Sequence, residues 1–422
     1  MNLGVSQMKL ATLALSLFFS FLSFNVHGAI WEDTQEWSLE YEQKYIAWIQ
    51  SSYVREKMFT DSRSPYFGVN TDCADTAYAL RAVFAFENKL PFAITNPSGS
   101  RDASKTLNNR SNKFDSAGPE NLRVVALITE IGDSVGTENL TRYDTFPVAI
   151  KKITPGTIFT YKIRARLRNF IRHAYNIKNI NPVGTFDVIY STQANKEKHG
   201  ELLRRTDREF ENAPNDPWGF RKFRWPEHLG SELSSIPKEL GPSAEQFELA
   251  KELGEKDFFK FIRTSVATSS ETNGERLSRL FKSVCFEAQA RISYVNEALD
   301  YLNKTQNACM DYERFDAFST PARDKALKEL FLKFEESYKD AKNDKSGDPT
   351  ILAFAETIYG EKGNKSELLS SCPINYRAGA TIDLGTLWTR LKKERLSSHP
   401  NDIVELRWGE ATKPETKCKR WY

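Results

Sequence analysis

The chain has 422 residues, of which 40% are hydrophobic, 27% charged and 12% aromatic, and its formal net charge is +3. This composition excludes a disordered chain, a collagen-like chain and a polytopic membrane protein. At roughly 150 residues per domain, the length predicts two or three domains.

The N-terminal segment has the layout of a secretory signal peptide. Lys9 precedes an apolar stretch over residues 10–24, and the small residues Gly28 and Ala29 follow where a signal peptidase would cleave. The apolar stretch is shorter than the ~20 residues that span a bilayer. We therefore expect residues 1–29 to be removed and the mature chain to be exported, with no stable membrane insertion. An uncleaved anchor is the alternative.

Export permits disulfide bonds, so the positions of the five cysteines matter. Four of them lie in the C-terminal third and can form two bridges in any of three pairings. These are Cys285, Cys309, Cys372 and Cys418. Cys73 stands alone near the start of the chain. It is either a functional thiol or an inert buried one, since free cysteines are often buried.

The first predicted elements are two helices. Apolar residues recur at helical spacing over residues 36–58. A second helix begins at Cys73, because Asp72 can cap its N-terminus and Asp75 completes the pattern of a capping box. Pro91 ends it.

The next segment, residues 95–121, is rich in Ser, Asn, Gly and charge, and predicts a surface insertion. Residues 122–136 are predicted to be helical or mixed. A strand, a tight turn at 154–157 and a second strand follow. Residues 172–180 and 185–192 then alternate around a four-residue turn, which indicates a hairpin.

Prolines and glycines over residues 226–246 indicate a domain boundary. We therefore predict an α+β domain over residues 30–226, with the insertion 95–121 inside it. A linker over 227–243 leads to a mostly helical, disulfide-containing domain over 244–422.

Cys73 and His173 are the candidate catalytic residues. A thiol in the first turn of a helix experiences the positive end of the helix dipole, which favours the thiolate. The free N–H groups of that turn could also stabilise an oxyanion. His173 lies in a predicted strand of the same domain and could act as base and then as acid. The alternative is that both residues are structural.

The third member of such a site stays open. With an even-length turn at 181–184, residue i pairs with residue 365 minus i, so His173 lies opposite Thr192. Its face then carries Tyr175, Ile177, Phe186, Val188 and Tyr190. Asp187 falls on the other face, where an ion pair with Lys178 explains it, although a bulge would exchange the faces. Thr192 and Asp187 both remain candidates.

Residues 151–225 contain 16 Lys and Arg against 7 Asp and Glu, an excess of +9. Arg164, Arg166 and Arg168 alternate and would form a basic stripe on one strand face. Such a surface favours an anionic peptide or peptidoglycan partner. The alternative is an ordinary solvated face.

We expect no nucleic acid partner, because no recognition motif is present. No cofactor motif and no zinc-type spacing occurs, so we expect neither a cofactor nor a metal.

Two short motifs resemble the papain-like cysteine hydrolase superfamily over about residues 70–192. The segment 72–77 (DCADTA) and the step 90–92 (LPF) are similar to the transglutaminase-like pattern, and 173–175 (HAY) is similar to its histidine strand. The order of an Asp-Cys start, the turn 154–157 (TPGT) and a His strand also resembles the NlpC/P60 layout. That layout has Asp where Thr157 stands here.

The resemblance implies a papain-like core, in which a helix that begins with the nucleophile packs on an antiparallel sheet. It implies that Cys73 attacks an amide carbonyl and His173 transfers the proton. We therefore expect an exported cysteine peptidase or amidase that cleaves amide bonds, with peptidoglycan stem peptides as the favoured substrate. The alternatives are transglutaminase-type amide transfer and a catalytically inactive binding protein.

Overall fold

The structure is a computed structural model. It describes residues 28–95, 106–166, 169–192, 201–208, 210, 212–360 and 371–421. Residues 1–27, most of the predicted signal peptide, lie outside the described residues.

The described chain combines helices with an antiparallel sheet, as predicted. The helices are α1 (Leu39–Gln50), α2 (Cys73–Glu87), α3 (Glu120–Ser134), α4 (Glu245–Val266), α5 (Asn273–Lys304), α6 (Tyr312–Phe318), α7 (Pro321–Asn343), α8 (Pro349–Tyr359), α9 (Leu384–Lys392) and α10 (Val404–Arg407). The strands are β1 (Ala93–Thr95), β2 (Thr106–Asn108), β3 (Thr145–Pro147), β4 (Ile158–Arg166), β5 (Asn169–Ile180), β6 (Phe186–Tyr190), β7 (Leu203–Arg208), β8 (Phe220–Phe223), β9 (Ile374–Arg377) and β10 (Ala380–Ile382).

Six strands form one sheet in the order β3-β8-β4-β5-β6-β7, and every pair in it is antiparallel. The other strands form two small hairpins, β1 with β2 and β10 with β9. The second hairpin lies among the C-terminal helices, so that half of the chain is mostly, but not wholly, helical.

Helix α2 is the central helix of the N-terminal half. Asp72 caps it by accepting the backbone N–H groups of Ala74 and Asp75, and Asp75 accepts the N–H of Asp72 in return. The predicted capping box is therefore confirmed. Every residue from Cys73 to Ala85 is buried, so α2 is enclosed on all sides.

The hairpin of β5 and β6 follows the predicted register near its middle. The pairs are Asn176 with Ile189 and Ile177 with Val188. A bulge at Lys178 then shifts the register by one, so Asp187 pairs with Asn179. The predicted ion pair of Lys178 with Asp187 is wrong. The Lys178 ammonium instead donates to three backbone carbonyls at the end of α1 and just beyond it, those of Ile49, Ser51 and Val54.

The sheet separates two apolar cores. On one face, Ile158, Ala174 and Ile189 pack with α2. On the other face, the strand residues that point to the opposite side of the sheet pack with α4 and α5. These residues are Phe159, Tyr175, Ile177, Val188 and Tyr190, against Phe258, Ile262 and Tyr294. Because side chains alternate along a strand, neighbouring residues of β5 belong to different cores.

Parts of the predicted insertion and linker pack into the N-terminal half. Residues 96–105 lie outside the described residues, but β2 pairs with β1, and Asn109 is 1% exposed. Its side chain accepts the N–H of Phe92 and donates to the carbonyl of Trp31. In the linker, short 3-10 turns bring Ile236 and Leu240 into the core around α2.

The C-terminal half carries two disulfides, as the four clustered cysteines predict. The pairs are Cys285–Cys372 and Cys309–Cys418. Cys73 is the free cysteine, and it is buried. Within the described ranges, no helix combines the length and the apolar character needed to cross a bilayer.

Candidate functional site

Cys73 is the first residue of α2, and its side chain is sealed. The residue is 4% exposed. Its Sγ lies 3.4 Å from the hydroxyl of Thr137, and it accepts the backbone N–H of Ala174 in β5. The thiol therefore fits between the start of α2, the short helical turn that begins at Thr137, and β5.

The electrostatic environment holds this thiol in its protonated form. Burial raises the pKa of Cys73 from 9.0 to about 12, and the nearby Asp72 and Asp75 carboxylates add to the rise. Hydrogen bonds from Thr137 and Ala174 oppose it but are smaller. The expectation that the helix N-terminus lowers this pKa is therefore wrong, because removal from water outweighs the dipole.

His173 lies in β5 as predicted, with its ring among tyrosines. The ring centroid is 4.5 Å from that of Tyr175, 5.3 Å from that of Tyr190 and 5.8 Å from that of Tyr161. Burial lowers the pKa of His173 from 6.5 to about 3, and the positive charges of Arg208 and Arg205 lower it further. The imidazole is therefore neutral at physiological pH.

The structure does not bring Cys73 and His173 together. Ala174 packs in the core of α2 and donates its N–H to the sulfur. His173 is the preceding residue on the same strand, so its side chain points to the opposite face of the sheet, where its tyrosine neighbours lie. Proton transfer between the two side chains needs hydrogen-bond reach, which this arrangement does not provide.

Neither candidate for a third catalytic residue serves His173. The Asp187 carboxylate accepts the Asn181 amide and the backbone N–H of Asp207, and it lies 3.7 Å from the guanidinium of Arg204. Thr192 is exposed just beyond the end of β6. Asp187 therefore supports the β6–β7 side of the sheet rather than the imidazole.

The surroundings of His173 form a second candidate site, which the sequence analysis missed. We call it the tyrosine–arginine cluster, and it consists of His173, Tyr175, Tyr190, Arg205, Arg208 and Tyr294. Strands β5, β6 and β7 supply five of these residues, and α5 supplies Tyr294. The Tyr175 and Tyr190 rings meet edge to face at 4.8 Å, an arrangement that aromatic pairs prefer.

Two more charged groups border the cluster. The guanidinium of Arg323 lies 3.9 Å from the Tyr294 ring centroid. Glu287 of α5 accepts the backbone N–H of Thr206 at 3.4 Å. Burial raises the pKa of Glu287, although Arg205 opposes the rise. Positive charge exceeds negative charge here, which gives the site an electrostatic preference for anions.

Two cations near the predicted basic stripe are neutralised by a carboxylate. Lys162 and Arg172 both pair with Glu138, at 3.4 and 2.7 Å. Arg164 is exposed, whereas Arg168 lies outside the described residues. Two cations near the stripe are therefore neutralised, whereas Arg164, the member of the stripe whose side chain the structure describes, is exposed.

A cavity of about 340 Å³ opens beside the cluster, between the start of β7 and α5. Leu203 and Tyr294 line it, together with charged residues of both signs. Across the described part of the chain, no group of three or more His, Cys, Asp or Glu side chains is placed to hold a metal ion.

Comparison with models of known protein families, with curated proteins and with solved structures finds no match to this chain.

Proposed function

We propose that this chain is an exported binding protein for anionic peptides, built on a papain-like core whose cysteine is structural. The observation that carries the proposal is the position of Cys73. Its thiol is sealed, protonated and separated by the sheet from the imidazole that would activate it.

The acid–base chemistry is mismatched to a cysteine hydrolase. A thiol of pKa about 12 is ionised in roughly 1 of 100,000 molecules at pH 7, and only the thiolate is nucleophilic. His173 is mismatched in the other direction, because its pKa is too low. His173, with a pKa of about 3, cannot carry the proton that a leaving amine requires at neutral pH.

The papain-like part of the proposal is supported by the order and packing of elements. A capped helix begins at the cysteine and packs against β5 of an antiparallel sheet, and a histidine lies on that strand. Export is supported by the two disulfides, which persist in oxidising compartments. An anionic partner is supported by the excess of +9 charges over residues 151–225.

Purified peptidoglycan sacculi, whose stem peptides carry carboxylates, separate binding from hydrolysis in one experiment. We expect the wild-type protein and Cys73→Ala to sediment with the sacculi to the same extent, with no soluble fragments released by either. Raised salt should weaken the binding, because the contact is between charges. Failure of the wild type to sediment would contradict the proposed partner.

Amide hydrolysis at Cys73 is the second candidate, and one observation favours it. Cys73 occupies the first turn of a capped helix, and its sulfur accepts a backbone N–H from β5, so the sulfur lies beside backbone donors, although Asp72 already accepts those of Ala74 and Asp75. Release of fragments by the wild type but not by Cys73→Ala would establish this candidate in place of a binding role. Incorporation of an amine into a glutamine peptide would instead indicate amide transfer.

A further inference from the structure

We propose that the tyrosine–arginine cluster binds a small anion that carries a carboxylate or phosphate group, with Arg205 as its principal contact. The inference rests on the proposed binding function and names the site and the chemistry of the ligand. It places ligand recognition on the face of the sheet opposite Cys73.

Arg205 is the first reason. The residue is 9% exposed, and no hydrogen bond or ion pair joins its guanidinium to any residue that the structure describes. Guanidinium groups remain charged in proteins, and here burial disfavours the charge of Arg205 while the nearby Glu287 carboxyl group favours it. Its N–H donors form a fixed fork near Glu287 and Tyr190, and a bidentate oxyanion would give them hydrogen-bond partners.

The second reason is the balance of charge around Arg205. Arg208 is half-buried, and its Nε is buried without a hydrogen-bond partner among the described residues. Arg323 adds a third positive charge, and its guanidinium lies over the Tyr294 ring. Glu287 is the carboxylate beside them, so the three guanidinium groups outnumber it. One added anion would reduce the excess.

The third reason is the aromatic wall of the cluster and the cavity next to it. Tyr175 and Tyr190 place ring edges and faces beside His173, and Arg208 lies 5.5 Å from the Tyr175 ring centroid. Tyr294 belongs both to the cluster and to the lining of the 340 Å³ cavity. Sites for small ligands combine such aromatic walls with a few charged groups in this manner.

Isothermal titration calorimetry with benzoate and with inorganic phosphate tests the proposal on the full mature chain. We expect saturable binding of at least one probe, and the probe that binds identifies carboxylate or phosphate recognition. Arg205→Gln should weaken that binding by about 10- to 100-fold, the range for loss of a charge-assisted hydrogen bond. Arg205→Lys should recover part of it, since it keeps the charge but loses the fork.

Two further variants keep the result interpretable. Arg208→Gln removes a less buried charge of the same cluster, so it should weaken binding even if Arg205→Gln fails to fold. Arg63→Gln removes a charge at a side chain that is 88% exposed on the N-terminal half, and should bind as the wild type does. Absence of saturable binding up to about 10 mM, or unchanged binding in folded Arg205→Gln and Arg208→Gln, would overturn the proposal.

The outcome is separable from that of the proposed function. If neither probe binds while sacculi still bind without hydrolysis, the cluster is not the recognition site and the binding role stands. If Cys73 proves catalytic while the probes bind, the binding-only role fails and the cluster remains an anion site.

Discussion

The replacement of Asp75 by Asn probes the buried carboxyl group next to Cys73. Asp75 is 2% exposed, its Oδ2 accepts the Asp72 N–H at 2.9 Å, and its Oδ1 has no hydrogen-bond partner among the described residues. Burial raises the pKa of Asp75 from 3.8 to about 8, and the charge of Asp72 adds to the rise. The folded protein therefore holds a proton at neutral pH that the unfolded chain releases.

The sign of the effect follows from this difference in proton binding. A carboxyl group with a raised pKa in the folded state contributes stability that is fully present below pH 3.8 and is lost as the pH rises to about 8. Asn cannot titrate, and its carbonyl oxygen can still accept the Asp72 N–H. As the pH rises through this window, the free energy of unfolding of the wild type should therefore fall relative to that of Asp75→Asn, by up to about 1.4 kcal/mol per pH unit.

Urea unfolding followed by far-UV circular dichroism, from about pH 4 to about pH 9, measures this difference. Asp257→Asn is the matched control, because Asp257 is exposed on α4, and its difference from the wild type should stay nearly constant. Parallel stability curves for the wild type and Asp75→Asn would refute the reasoning. They would mean that the Asp75 carboxyl group is ionised and solvated in the folded protein.

Two substitutions test buried polar contacts by the same unfolding measurement. Tyr78→Phe removes the hydroxyl that donates to Asp144 at 2.6 Å. It should lower the free energy of unfolding by about 1–3 kcal/mol, because a buried carboxyl group loses a donor. An unchanged free energy of unfolding would contradict this role. Arg291→Met breaks the ion pair with Asp324 at 2.8 Å and leaves a buried carboxylate, so a loss of about 3–5 kcal/mol is expected. A loss below about 1 kcal/mol would show that water or another cation replaces the guanidinium.

Local sequence signals predicted the elements around the candidate site well. The cap at Asp72 and the stop before Pro91 placed α2, since capping and proline chemistry act within a few residues. The register of β5 with β6 followed from turn length alone near Ile177. The residues predicted to share the face of His173 do lie in one core, because the two-residue period of a strand is local.

The relation between Cys73 and His173 needed information that is not local. Which face of β5 receives α2 depends on how the helices distribute over the sheet, and the strand pattern is apolar on both faces. The bulge at Lys178 was also unpredictable from the turn, since the carbonyls that its ammonium meets lie more than a hundred residues earlier. The sequence contains no signal that relates these distant segments.

The tyrosine–arginine cluster shows the same limit. Arg205 and Arg208 in β7 are three residues apart, a spacing that places side chains on opposite faces of a regular strand, and nothing in the sequence indicates the register shift between them. Only the packing of α5 on that side of the sheet brings Tyr294 to them and buries Arg205. The excess of positive charge over residues 151–225 was the one available indication, and it favoured an anionic partner without indicating where on the fold such a partner would bind.

The central claim, that Cys73 is structural, is tested most directly by the rate of its alkylation with iodoacetamide as a function of pH. The other four cysteines are in disulfides, so mass spectrometry without reductant reports Cys73 alone. A rise in pKa from 9.0 to about 12 lowers the thiolate fraction about 1,000-fold at neutral pH. We predict native labelling at least about 1,000-fold slower than in urea, and unchanged by His173→Ala. Fast native labelling at pH 7 that slows in His173→Ala would contradict the claim and establish an imidazole-activated thiolate.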